Sequence, residues 1–269
     1  VVGDPESWNL ERLMDLRQTY GGETIHTSGT AFLYDALQFS IWDYLDQDTG
    51  AFDQENYRVL LEFCKTLDQE TDSDTAPLLT ITGISTFNEL QYYEAMWGGQ
   101  VELYGFPGQT QGQSAFVLGD EEFAINANST QKEGAWTFLR TYFTEEYQYD
   151  TYVDSAYHLF PANVHALERA AQEAQEPLYS QDENGNLVEN TWRGNQEGFD
   201  YHAATQAQVD QVLAAIAQTS RIASVDYDLI NLAQEEATGY LQGELTLDQT
   251  LRTTQSVLTT YWSEQRAQK

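Results

Sequence analysis

Four histidines, one cysteine and 43 acidic residues are the groups in this chain that could ligate a metal, attack a carbonyl or move a proton. His26, His158, His165 and His202 show no metal-ligand spacing, and no HExxH pair or cysteine cluster joins them. No GxSxG elbow accompanies them either, so a serine hydrolase has no motif support. Cys64 sits in the helical pattern "YRVLLEFCKTL" and reads as a small core residue; a lone cysteine allows no disulfide within the chain. No metal, no cofactor and no catalytic residue is expected from these spacings.

Two glycine-containing stretches are weaker still. "GFPGQTQG" has glycines at 105, 108 and 112, which fits neither a P-loop nor a dinucleotide fingerprint. "DQDTGAFDQENY" looks like a calcium loop, but its glycine is at the fifth place, and Tyr57 stands at the twelfth where glutamate is needed. It reads as a turn followed by the helix cap Asp53. Among so many carboxylates some pairs lie at glycosidase separation by chance, and sequence cannot select them. Glu235 and Glu236 are adjacent on a helix and so point in different directions.

Aromatic content is the more informative feature, with 17 Tyr, 12 Phe and 6 Trp, several beside Gly, Ser, Asn or Asp. Rings next to short polar side chains suit carbohydrate, whose C–H faces stack while its hydroxyls need directed partners. Trp42, Trp97, Trp136 and Trp262 fall on apolar helical faces and read as core. Trp192 in "ENTWRG", Tyr157 and His158 in "SAYHLFPA", and Tyr227 with Asp228 in "VDYDL" sit in loops or at element ends, where ligand groups concentrate.

At 269 residues the chain can bury a core as one large domain or two small ones. Its net charge of −31 repels phosphates and anionic lipid, so nucleic acid is not an expected partner. "VVGDPESWNLERL" has neither the basic nor the apolar region of a signal peptide, as expected of a cytosolic protein or of a mature or trimmed fragment.

The elements that must position these groups follow from periodicity and caps. Asn9, Asp53, Ser129 and Thr144 are expected helix caps, and the pairs Thr86/Glu89, Thr205/Gln208 and Thr246/Gln249 have capping-box spacing. A helix is expected from about Gly29 to Tyr44. "ETIHT", "PLLTITGI", "VELYGFP" and "SAFVLGDEEFAINA" read as about five strands. The polar stretch 175–204 has no helical period and reads as an excursion. Interspersed strands and helices followed by a helix-rich second half predict an α/β fold.

The order of segments resembles a known family. "FNELQYYEAMWGGQVELYGFPG", then "EEFAINANSTQKEGAWTFLRTYFTEEYQ", then "LFPAN", then "LINLAQEEATGYLQGELTLDQTLRTTQSVLTTYWSEQ" is similar to the extracellular solute-binding proteins of ABC importers. The nearest likeness is the maltose-binding-protein-like family in its Gram-positive form. The resemblance covers most of the chain from about Trp8, through soft patterns whose order and spacing carry the specificity. "SWNLERLMDL" looks like the helix that opens the family's second lobe, so the chain resembles the C-terminal two thirds of such a protein.

The resemblance implies a type II periplasmic-binding-protein-like fold with part of the first lobe missing. Residues 1–123 and 205–269 would form the second lobe, and 124–204 a crossover segment that docks on the first, with the loose excursion at 175–204. Thr27, Ser28, Phe32, Ser85, Phe87, Tyr227 and Asp228 would face the ligand cleft, joined by Tyr157, His158 and Trp192 from their loop positions. The implied function is capture of an extracellular oligosaccharide by hinge closure and delivery to a membrane permease, from a lipoprotein on the outer face of the cell membrane. Apolar surface left bare on 124–170 would favour self-association. A two-carboxylate carbohydrate hydrolase and a non-catalytic helical interaction module are the alternatives.

Overall fold

Helix starts follow the side-chain caps. In the computed structural model, which describes residues 7–67, 76–108, 112, 114–117, 123–153, 159–191, 196, 198–224 and 226–267, Asn9 Oδ1 accepts the Arg12 N–H at 2.9 Å and opens α1 (Leu10–Tyr20). Ser28 caps α2 (Gly29–Ser40) and Asp53 caps α3 (Gln54–Leu67). The Thr205/Gln208 and Thr246/Gln249 boxes close reciprocally, each with a backbone N–H donated in both directions, before α8 (Gln206–Gln218) and α10 (Leu247–Ala267). Asp226, at the end of "IASVD", caps α9 (Tyr227–Leu241).

Two starts differ from expectation. Glu89 accepts the N–H groups of Ser85 and Thr86, but residues 86–89 form a turn and α4 runs only from Leu90 to Trp97, ending at Gly98 with φ 66°. Ser129 accepts the N–H of Gln131, two residues on, so it closes a local turn and α5 begins at Lys132 (Lys132–Leu139).

The chain is helix-rich with little sheet. Among the described residues β1 (Ala115–Phe116) pairs in parallel with β4 (Arg221–Ile222), and β2 (Tyr179–Gln181) pairs antiparallel with β3 (Leu187–Glu189). "ETIHT" and "PLLTITGI" meet in a single parallel bridge, Ile25 to Leu79. "VELYGFP" forms no strand. The Trp8 indole donates to its Gly105 carbonyl at 2.7 Å, and just after the stretch the Leu10 N–H donates to the Gly108 carbonyl at 3.0 Å. β-rich composition marks a chain that fits a pleated surface, and here the stretch makes a single β-bridge, at Phe106.

The contacts divide the chain into two compact units: Val1–Ile81, Tyr104–Leu118 and Ala217–Lys269 in the first, Thr82–Leu103 and Gly119–Ile216 in the second. Segments 82–103 and 205–216, expected with the former, group with the latter. The first unit packs α1, α2, α3, α9 and α10 around one core, with Phe32, Leu33, Tyr57, Leu61, Ile230 and Leu258 almost fully buried. Polar ties join its helices. Tyr57 donates to the Ala233 carbonyl at 3.2 Å, Arg58 pairs with Asp248 at 2.7 Å, and Lys65 donates to the Tyr240 and Leu241 carbonyls at the C-terminus of α9.

The second unit has a smaller core of Phe87, Leu90, Tyr149, Val209 and Val212 with alanines from α7 (Val164–Glu173). Gln148, at the end of α6 (Glu145–Gln148), spans two turns, donating to Tyr142 and accepting from Ala162, each at 2.8 Å. Tyr149 follows in a π-helical turn, donating its hydroxyl to Glu173 beneath the Arg169 guanidinium, which lies 3.5 Å over its ring. Helix α5 buries none of its residues: Trp136 is 55% exposed and Phe138 63%. Trp136 is thus not core, unlike Trp42 and Trp262, which pack edge to face at 5.7 Å.

Candidate functional site

The helix pair α2 and α9 carries most of the candidates in the first unit. Gln234, in the middle of α9, donates to the Thr30 carbonyl at the start of α2, and the Ser224 N–H, just before α9, donates to the Gln38 carbonyl near its end. The two helices therefore run antiparallel. The Thr30 and Gln38 contacts are eight residues apart on α2, roughly 12 Å along the axis, with Thr27 and Ser28 beyond the first and Tyr227 and Asp228 toward the second. The structure does not gather these four groups at one point.

At the α9 end, Asp226 Oδ1 accepts the Leu229 N–H at 3.0 Å and the Tyr261 hydroxyl at 2.8 Å, while the Asp226 N–H donates to Ser224 Oγ at 3.3 Å. Burial, and then the bond to Asp226, push the Tyr261 hydroxyl up to about 12. Tyr227, 49% exposed, and the exposed Asp228 stand beside this locked corner with their side chains open to solvent. Adjacent at the start of α9, the two side chains point in different directions.

Ser28 spends its hydroxyl on the Ala31 N–H at 3.1 Å. Thr27 donates only to the adjacent Ser28 carbonyl, at 3.4 Å, and is half-buried. Phe32 corrects the sequence expectation: it is 0% exposed, wedged between Phe63 and Phe106 at 5.1 and 5.2 Å, and has no face for a ligand. Its position on the inward stripe of α2 is a core position. Three residues further on, burial raises the Asp35 carboxyl above the usual carboxylate range.

In the second unit Phe87 is likewise a core residue, 2% exposed and edge-on to Phe160 at 5.2 Å. Ser85 donates its hydroxyl to Glu89 at 3.3 Å and is half-buried. Tyr157, His158 and Trp192 lie outside the described residues. Tyr93 and Trp97, half-buried on α4, were not selected from sequence, because Trp97 follows an apolar helical face and reads there as core.

The calcium-like loop resolves into a turn. Asp46 Oδ1 accepts the N–H of Asp48 at 3.1 Å and the N–H and hydroxyl of Thr49 at 2.7 Å, and these bonds hold its carboxyl below the usual range. Gly50, at φ 71°, closes the turn against the Trp262 indole, where a Cβ would collide. Several cations are also occupied: Arg17 donates to Thr66, Arg221 pairs with Asp43, Arg169 with Glu173 and Lys65 with α9.

No family model matches the sequence, and no curated protein matches it significantly. None of the described helices is long and apolar enough to cross a membrane.

Proposed function

We propose that the chain is part of a solute-binding protein of an ABC importer that captures a neutral oligosaccharide outside the cell. The order of its segments, "FNELQYYEAMWGG" through "AINANSTQKEGAWTFLRTYFTEEYQ" and "LFPAN" to "EEATGYLQGELTLDQTL", carries the reading. The type II binding-protein fold, the lipoprotein anchor and delivery to a permease belong to the same proposal. Binding is non-covalent, with closure of two lobes around the sugar as its mechanism. The open Tyr227 ring and Asp228 carboxylate, placed by the Asp226 cap, are its best contact residues in the first unit. In this reading the exposed Trp136, Phe138 and Phe143 are covered in the working protein by the first lobe or by a second copy. The net charge of −31 favours a neutral ligand over an anionic one.

The alternative reading is a carbohydrate hydrolase using two carboxylates, with the half-buried Asp35 of α2 as the candidate acid. Calorimetric titration with malto-, xylo- and manno-oligosaccharides, with the sugars recovered and analysed afterwards, tests both. Saturable heat with intact sugar supports binding. Cleavage that disappears in Asp35→Asn replaces the proposal with the hydrolase, and absence of heat with every sugar removes it.

A further inference from the structure

The hairpin of β2 and β3 leaves its apolar side chains in solvent. Leu178, Tyr179, Leu187 and Val188 are all exposed, and no residue of either strand is buried. Its tip is held by Asp182, whose Oδ1 accepts the N–H groups of Asn184 and Asn186 at 2.9 and 2.8 Å, with Gly185 at φ 80°. Two strands alone are marginal in water, and further strands or a packed face are what make such a pair stable.

The two edges of this hairpin differ. Just past β3 the Tyr201 N–H donates to the Thr191 carbonyl at 2.8 Å, and Glu189 meets His202 Nδ1 at 3.1 Å, with His202 itself held by Gln91 and Asn88. The free edge is that of β2. The Asn190 N–H donates to the Leu178 carbonyl at 2.7 Å and the Asp182 N–H to the Asn186 carbonyl at 2.9 Å, so residues 178, 180 and 182 turn their backbone groups toward β3. Tyr179 and Gln181 turn theirs away, and among the described residues these groups have no partner.

Such an edge is completed by another strand. In an antiparallel pair with a second β2, outward residues must meet outward residues, and the centre is Tyr179, Ser180 or Gln181. Centring on Tyr179 sets Gln181 against Pro177, which has no N–H to give. Centring on Gln181 sets Tyr179 against Glu183 in the turn and brings the two acidic tips together. Centring on Ser180 lets Tyr179 and Gln181 exchange reciprocal bonds on both sides and sets each Asp182 opposite Leu178, with the two carboxylates roughly 13 Å apart along the strands. For a chain of net charge −31 that spacing matters, because it exceeds the screening length of about 8 Å at physiological salt.

We propose that two copies of this chain associate through β2, antiparallel and centred on Ser180, so that the two hairpins form one four-stranded sheet. Tyr179 and its counterpart then lie diagonally across the centre, within reach of each other. Leu178 to Gln181 carries no charge that would select an acidic or basic strand, whereas a second copy is uncharged at the same place. The pairing is independent of the carbohydrate reading and uses none of its residues.

Sedimentation equilibrium of the full chain in about 0.05 and about 0.5 M sodium chloride measures the association. The expected result is a reversible monomer–dimer equilibrium that tightens with salt, as the like charges of the copies are screened. Tyr179→Pro removes an outward N–H and no bond of the hairpin, so it should weaken the dimer about tenfold and leave the urea midpoint unchanged. Ser180→Cys sets two thiols at the centre, where facing Cα atoms are about 4.5 Å apart, and diamide should link them. Leu178→Cys, roughly 13 Å from its counterpart along the strands, should not link, and the buried Cys64 offers no competing thiol. A chain that is monomeric at every concentration overturns the pairing and leaves the edge to a strand of another protein. A dimer that Tyr179→Pro leaves intact, or one linked through Leu178→Cys and not through Ser180→Cys, overturns it as well. So does a dimer that loosens with salt, since ion pairs would then hold it.

Discussion

The Tyr261 hydroxyl donates to Asp226 Oδ1 at 2.8 Å, so one carboxylate oxygen both caps α9 and ties α10 to it. Losing the hydroxyl in Tyr261→Phe is expected to cost about 1 kcal/mol, and losing the cap in Asp226→Ala about 1–2 kcal/mol. The two losses should not add, because both variants break the same bond; a double-mutant cycle by urea unfolding measures the coupling.

The same bond predicts an alkaline limit. Tyr261 holds its proton up to about 12 when folded, whereas an unfolded tyrosine releases it near 10. The folded state then binds more protons over that interval, so its stability falls as pH rises from about 10 to 12. Tyr261→Phe should flatten this part of the stability curve, read by unfolding midpoints at stepped pH.

Asp35 predicts a dependence of the same sign at low pH. Burial raises its folded carboxyl above the unfolded value of 3.8, so ionisation is less favourable in the folded chain. Its penalty is absent below that value and develops as pH rises through the folded one. Asp35→Asn should raise the melting temperature at pH 7 and leave it nearly unchanged below about pH 3.8. An equal gain at both pH values would assign the effect to shape or hydrogen bonding instead of charge.

Phe32 and Trp136 both lie on helical stripes, yet their costs should differ sharply. Phe32→Ala empties a site between Phe63 and Phe106 and is expected to cost about 3–5 kcal/mol. Trp136→Ser removes a ring that is 55% exposed and should stay within about 0.5 kcal/mol. Urea midpoints of the two variants make the comparison.

That contrast shows where the sequence was legible. Caps at Asn9, Ser28, Asp53, Thr205 and Thr246 are local events, decided by side chains within three residues, and they read directly. The strands did not: "VELYGFP" has the composition of one, but Trp8 takes its Gly105 carbonyl and Leu10 the Gly108 carbonyl just after it, pairings across about a hundred residues that composition cannot contain. Periodicity gives a stripe on α5 but not what covers it, so Trp136 read as core. Phe32 and Phe87 followed segment order toward a cleft, whereas apolar spacing alone already put Phe32 on a buried face. Asp226, directly ahead of "YDLINLA", is a cap of the same local kind.

Tyr227 and Asp228 give the sharpest test of the proposed binding role. Tyr227 is 49% exposed, Asp228 is exposed, and the cap that fixes both belongs to neighbouring Asp226, so neither side chain is needed to hold α9 in place. Tyr227→Ala and Asp228→Asn should therefore leave the unfolding midpoint within about 0.5 kcal/mol of the parent. If the corner contacts an oligosaccharide, each should weaken calorimetric affinity about tenfold, the first through lost stacking and the second through a lost hydroxyl acceptor. A parent that binds sugar and two variants that bind it equally well would move the contact away from α9. A fall in stability parallel to the fall in affinity would instead make the residues structural, because binding would then be tracking the fraction folded.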